Sequence, residues 1–175
     1  FEYLMPAQIL RSYPGTLLAE TVRGAVVQQI AYGKSKRVPW GISESGFYRF
    51  DASQNYQYRA FGVPGLGFKR GLSNDLVIAP YASLMAVAIE PQAVINNLVE
   101  LSKHKMFGAY GFYEALDFTS DRLPLDEKSA VVGEYIAHHQ GMIMMALANY
   151  FCDDIMVKRM HSDPRIRSVE LLLQE

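Results

Sequence analysis

Between residues 14 and 33 apolar side chains return every third or fourth position, at Leu17, Leu18, Val22, Ala25, Val26 and Ile30, with Gln29 on the same stripe. That spacing predicts a helix over 14–33, opened by Pro14 behind Ser12 and closed at Gly33. The period then disappears. From Lys34 to Val77 the chain is rich in Gly, Pro, Ser, Asn, Tyr and Phe and reads as one long loop, whose best strand candidate is the short alternation around Tyr56 to Phe61. A second helix is predicted from Ala79-Pro80 through Tyr81, Leu84, Met85 and Ala88. A third starts at Pro91, turns Val94, Ile95, Leu98 and Leu101 inward, and ends at the lysines and Gly108. Residues 107–128 are again irregular and aromatic, up to the break at Leu123-Pro124. Helices are expected at about 129–151 and from the capping pair Asp163-Pro164, the latter carrying Ile166, Val169, Leu172 and Leu173. The pattern is mainly α with two long loops, and loops of that length inside one domain, when aromatic, point to function.

Composition narrows the partner. The chain has 175 residues, half of them apolar, enough for one domain with a sizeable core. Seventeen basic residues stand against eighteen acidic ones, so the net charge of −1 argues against nucleic acid or an anionic membrane surface and for a neutral ligand. One cysteine, Cys152, excludes an internal disulfide framework and fits a reducing compartment. The most apolar run, Gly141 to Phe151, is about half of the ~20 residues that span a bilayer, so it is expected as a buried helix and no membrane insertion is expected. The opening Phe1-Glu2-Tyr3-Leu4-Met5-Pro6 lacks an initiator methionine and a basic leader, and the chain is expected to be cut from something longer.

Several chemistries fail on spacing. G-V-P-G-L-G-F-K-R-G at 62–71 resembles a phosphate-cradling loop, but Phe68 intervenes, no hydroxyl follows Lys69, and no helix begins there. G-I-S-E-S lacks the glycine that a nucleophilic serine elbow needs two residues after the serine. Adjacent His138 and His139 point about 100° apart on a helix and cannot share a metal as an i, i+4 pair does, so no metal is expected and no cofactor is implied. Carboxylates in aromatic loops are more promising, because breaking a glycosidic bond takes two of them across a cleft. Glu44 beside Trp40, Glu114 behind Phe112-Tyr113, Asp75, Asp117 and Glu2 qualify. A neighbouring ring offers a pyranose a flat apolar face and raises the acid's pKa by lowering the local dielectric. The plainer reading of each is a hydrogen-bonded loop acid capping a helix or pairing with Lys69 or Arg70. Glu20, Glu100, Glu127 and Glu134 lie in or beside helical patterns and are set aside as solvated. Met142, Met144 and Met145 are read as core.

The segments F-E-Y-L-M-P, R-S-Y-P-G-T-L-L, V-P-W-G-I-S-E-S, F-G-V-P-G-L-G-F-K-R-G, D-L-V-I-A-P-Y-A-S, Y-G-F-Y-E-A-L-D-F-T, A-H-H-Q-G-M and D-P-R-I-R-S-V-E-L-L-L-Q-E, in this order along the whole chain, resemble the glucoamylase-like region of bacterial cyclic β-1,2-glucan synthases. The resemblance implies about the C-terminal half of an (α/α)6 toroid, a single partial domain over 1–175 whose loops form a sugar cleft. It implies cyclisation of a linear β-1,2-glucan by transglycosylation, with hydrolysis of β-1,2-glucan or non-catalytic glucan binding as alternatives. Carried over residue by residue, it points to Glu44 as the leading catalytic carboxylate, then Glu114 and Glu2. It places Trp40, Tyr113, His138, His139 and Gln140 against glucose units, and Arg70 and Asp75 at the cleft wall. The implied partners are β-1,2-glucan, the rest of the toroid and the other domains of a parent synthase. That parent is expected in a bacterial inner membrane, with this domain on the cytoplasmic side.

Overall fold

Thr16 starts the first helix: its extended backbone and a side-chain oxygen accepting from Ala19 N at 3.3 Å make it the N-cap of α1 (Leu17–Lys36). The computed structural model describes residues 1–174, so Glu175, the last residue of the final quoted segment, lies outside the described residues. After α1 come β1 (Ser45–Phe50), β2 (Tyr56–Arg59), β3 (Val77–Ile78), α2 (Pro80–Leu84), α3 (Pro91–Ser102), β4 (Phe107–Gly108), β5 (Gly111–Phe112), β6 (Ala115–Asp117), β7 (Ala130–Val132), α4 (Ala137–Phe151), α5 (Ile155–His161) and α6 (Pro164–Ser168). All strand pairing is antiparallel: β1 with β2, β4 with β5, and β3–β6–β7 as a small sheet.

Two apolar clusters divide the interior. Val22 and Val26 of α1, Trp40, Tyr81 and Leu84 of α2, Val94 of α3 and Ala146 of α4 form a helical cluster. Ile42, Phe47, Phe61, Val77, Ile78, Leu101, Met106, Leu116 and Val132 form a second one around the strands, and Leu98 packs against both.

The helix starts at Pro80, Pro91 and Pro164 were legible, whereas α1 begins at Leu17 rather than Pro14 and runs past Gly33 to Lys36, because Thr16 supplies the cap, and the strands overturn further expectations. Residues 34–77 are not one loop, because β1 and β2 pair across the turn at 51–55. The helix expected from 129 begins only at Ala137, since Ala130–Val132 is consumed pairing with β6. The second helix is shorter than expected, ending at Leu84 in successive turns, and α5 was not anticipated. On α3 the inward stripe is shifted: Ile95 is 51% exposed and Asn97 is buried in its stead. Among the described residues no helix is long and apolar enough to cross a membrane.

Candidate active site

The segment leading to Glu44 has no secondary-structure period because helices, not strands, satisfy its backbone. Asn97 of α3 brackets Trp40, accepting from its N–H and donating to its carbonyl, both at 2.8 Å. Gln29 of α1 does the same for Ile42, at 2.9 and 2.7 Å. Ala79 N donates to Gly41 O at 2.8 Å, an approach that Gly41, at φ +120°, allows because a Cβ there would meet Ala79 O. Buried amides of this kind fix a backbone that would otherwise hold unpaired polar groups in a dry interior.

Trp40 itself departs from expectation. Its indole lies in the helical core, 8% exposed, where Gly33 admits it, and it is not part of the lining of the cavity at Glu44. Glu44, three residues after Gly41, emerges half-buried on the wall of a cavity of about 470 Å³. Glu2 shares that wall, and the aromatic faces come from Phe1, Tyr3, Phe61 and Phe68.

Glu114 and His139 meet in the interior. Glu114 is 2% exposed and precedes β6; His139 is 1% exposed in the first turn of α4. The His139 Nδ1 lies 2.8 and 3.0 Å from the two oxygens of Glu114, and Gly46 N donates to Oε1 at 3.1 Å. The Tyr81 ring stacks on the imidazole at 3.8 Å and 10°, while its hydroxyl donates toward Ser43 Oγ and Glu44 O, each at 2.9 Å. On the other side, the Tyr58 hydroxyl stands 3.3 Å from His139 Nε2. Burial first, then the charges of Glu44 and Glu114, push Tyr58 up to about 12, so it stays a phenol at neutral pH.

Glu134, set aside in the sequence, belongs to this cluster. The β6–β7 pairing brings it alongside Glu114, whose N–H donates to Glu134 O at 3.0 Å. Burial and then the Glu114 charge raise its pKa, with His139 opposing. A Cβ on Gly46 would displace the carboxylate end of Glu134 and press on Glu114 and Val132. The β1–β2 register sets Tyr58 opposite Gly46. Tyr58, Tyr81 and Glu134 escaped the sequence reading because only strand register and a short helix unite them; the proline before Tyr81 was the one visible cue.

The remaining expected site residues scatter. His138 is exposed, its ring 5.3 Å from those of Phe1 and His139. Gln140 donates to Phe112 O at 3.1 Å, and Tyr113 leans on Tyr135 at 5.1 Å. Arg70 and Asp75 line a different cavity, also about 470 Å³, with Arg49, Arg59 and Arg122. Asp75 is tied there to Arg122 and, at 3.2 Å, to Arg59. The Arg122 fork continues to Asp117, with Nε to Oδ2 at 2.8 Å and an NH2 to Oδ1 at 3.1 Å.

Residues 1–164 match the sequence model of the Glycoamylase family, described as "Putative glucoamylase". The chain belongs to the Glycoamylase family. Across all 175 residues it is 45% identical to the cyclic β-(1,2)-glucan synthase NdvB of Rhizobium meliloti (strain 1021), of which it spans 6%. Among solved structures it resembles an endo-β-1,2-glucanase from Chitinophaga pinensis, crystallised with sophorotriose and glucose. The TM-score is 0.55 at 23% identity, over 89% of this chain and 34% of that one. A β-1,2-glucanase from Parabacteroides distasonis aligns with TM-score 0.62 at 16% identity, over 97% of this chain and 22% of that one. At these identities the glucanases establish a shared helix-rich fold for this Glycoamylase domain.

Proposed function

We propose that this chain is part of a larger (α/α)6 toroidal domain that acts on β-1,2-glucan, transferring a glycosyl unit to a sugar hydroxyl and so cyclising a linear chain. The observation that carries it is the setting of Glu44, half-buried on the wall of a cavity rimmed by Phe1, Tyr3, Phe61 and Phe68 and shared with Glu2. The 45% identity to NdvB along the whole chain supports the substrate class. In this reading Glu44 works at the glycosidic bond with Glu2, on the same cavity wall, as its partner, one carboxylate attacking or assisting at the anomeric carbon and the other moving the proton, while Glu114 supports the site from the interior. The aromatic rim holds pyranose faces and keeps water from the acceptor position. His138, Gln140 and Tyr113 are proposed to contact further glucose units, while Arg70 and Asp75 shape the neighbouring wall. The parent protein is proposed to be a bacterial membrane synthase with this domain on the cytoplasmic side.

Hydrolysis is the second reading, favoured by the fold shared with the two glucanases. Linear β-1,2-glucan incubated with the full-length protein separates the two. Cyclic products support transfer and short linear products support hydrolysis. Binding without any product, unchanged when Glu44 and Glu114 are both replaced, would reduce the domain to a glucan-holding module.

A further inference from the structure

The cavity of about 470 Å³ next to the one at Glu44 gathers Arg49 from β1, Arg59 from β2, Lys69 and Arg70 from the loop after β2, and Arg122. The chain as a whole carries a net charge of −1, so five cations in one hollow run against its overall balance. The carboxylates beside them are Asp75 and Asp121 on the wall and Asp117 behind Arg122, which leaves an excess of two positive charges. Arg59 and Arg122 are committed within the protein. Both bond Asp75, Arg59 at 3.2 Å, and Arg122 also takes Asp117. Their guanidinium carbons stand 5.5 and 4.9 Å from the Phe47 ring centre, which makes them a fixed floor. Arg49 and Arg70 are exposed, and among the described residues their guanidiniums make no hydrogen bond or ion pair. Lys69 spends one N–H on Ala60 O at 2.7 Å and keeps the others.

We propose that this cavity is a phosphate-binding site, taking inorganic phosphate or a phosphate group carried on a sugar, with Arg49 and Arg70 as the clamp and Lys69 as a third donor. The donor set decides the ligand class. Asp75 has both oxygens taken by arginines, so the hollow faces a ligand with donors almost alone. Sugar hydroxyls need acceptors as well as donors, whereas a phosphate presents acceptor oxygens and carries about −1.5 to −2 near pH 7. That charge matches the local excess, and a carboxylate would neutralise only half of it. Guanidiniums meet phosphate oxygens with paired N–H groups, and a concave wall of one sign concentrates the field that draws the anion in. The cavity shares Ala60, Phe61, Lys69 and Leu72 with the cavity at Glu44, so the bound anion sits one wall away from that carboxylate. The assignment does not depend on what Glu44 does.

The test labels arginines of the full-length protein with phenylglyoxal and reads each one by peptide mass spectrometry. Inorganic phosphate should slow labelling of Arg49 and Arg70 along one saturation curve, about tenfold when phosphate stands at about ten times its Kd. Arg37 and Arg167, exposed and outside the cavity, should label at an unchanged rate, and sodium chloride at equal ionic strength should protect none of the four. Arg49→Ala removes an exposed side chain, so folding is kept, and it should raise the phosphate concentration that protects Arg70 at least about tenfold. No protection by phosphate, equal protection of all four arginines, protection by chloride, or an unchanged Arg70 curve in Arg49→Ala overturns the site. Glucose 6-phosphate then identifies the source. Half-protection at a concentration at least about tenfold below that of phosphate assigns the site to a sugar phosphate, and an equal or higher concentration assigns it to free phosphate, each result supporting the site.

Discussion

Strand β6 has a buried acid at each end, and the two are held in opposite ways. Asp117, fully buried, takes the Arg122 fork and two backbone N–H groups, from Tyr48 at 3.1 Å and Thr119 at 2.9 Å. Glu114, two per cent exposed, faces His139 and a half-buried second acid, Glu134. A guanidinium keeps its charge at every accessible pH, and here the bonds to Asp117 and Asp75 outweigh burial and raise its pKa further. An imidazole changes charge near neutrality. The first arrangement locks the sheet to the β1–β2 hairpin, with Arg122 also 4.9 Å from the Phe47 ring centre. The second sets a buried imidazole between Glu114 and the Tyr81 ring.

Removing the lock should have the largest effect on stability. Arg122→Ala leaves Asp117 buried without its cation and should cost about 3–5 kcal/mol in denaturant unfolding, with Arg122→Lys in between because it restores charge without the fork. A loss below 1 kcal/mol would show the two ends of β6 to be alike. Asn97→Ala strips both backbone partners of Trp40 and should cost about 1–3 kcal/mol for each group left unpaired. Its effect on turnover should exceed that of an equally destabilising change in α5, since Glu44 follows the loosened segment. Gly46→Ala should cost about 1–3 kcal/mol by forcing Glu134 and Glu114 aside, and should cut turnover more than the stability loss explains, measured at a temperature where both proteins are folded. The smallest effect belongs to pH. Folding raises the pKa of Glu134, so above its ordinary value near 4.5 the folded chain binds more protons than the unfolded one. Stability from this group is therefore full at low pH and is lost as pH rises from about 4.5 through the folded pKa. Glu134→Gln should flatten urea midpoints across that window; an unchanged slope would remove Glu134 from the pair.

Much of the architecture was legible because helices announce themselves locally. Pro80, Pro91 and Pro164 each stand at the first turn of a helix, and Asp163 caps the last, accepting from Arg165 N. The strands were not, since β3, β4 and β5 are two residues each, too short to show a period, and β3 exists only by pairing with β6 some forty residues on. The same physics divides the site. Glu44, Glu114 and His139 stood out as polar residues in unusual local company. Glu134 looked solvated, and only the β6–β7 register turns it toward Glu114. Trp40 misled because an aromatic ring beside an acid in sequence need not share its face: the indole turned into the helical core while Glu44 turned to the cavity.

The central claim is that Glu44 acts on the glycosidic bond of β-1,2-glucan. Full-length protein carrying Glu44→Gln, given linear β-1,2-glucan and analysed for products, tests it most directly. The account predicts that cyclic product disappears, with turnover reduced about 100- to 10,000-fold while glucan still binds and chain elongation continues. Normal cyclic product from Glu44→Gln would contradict it.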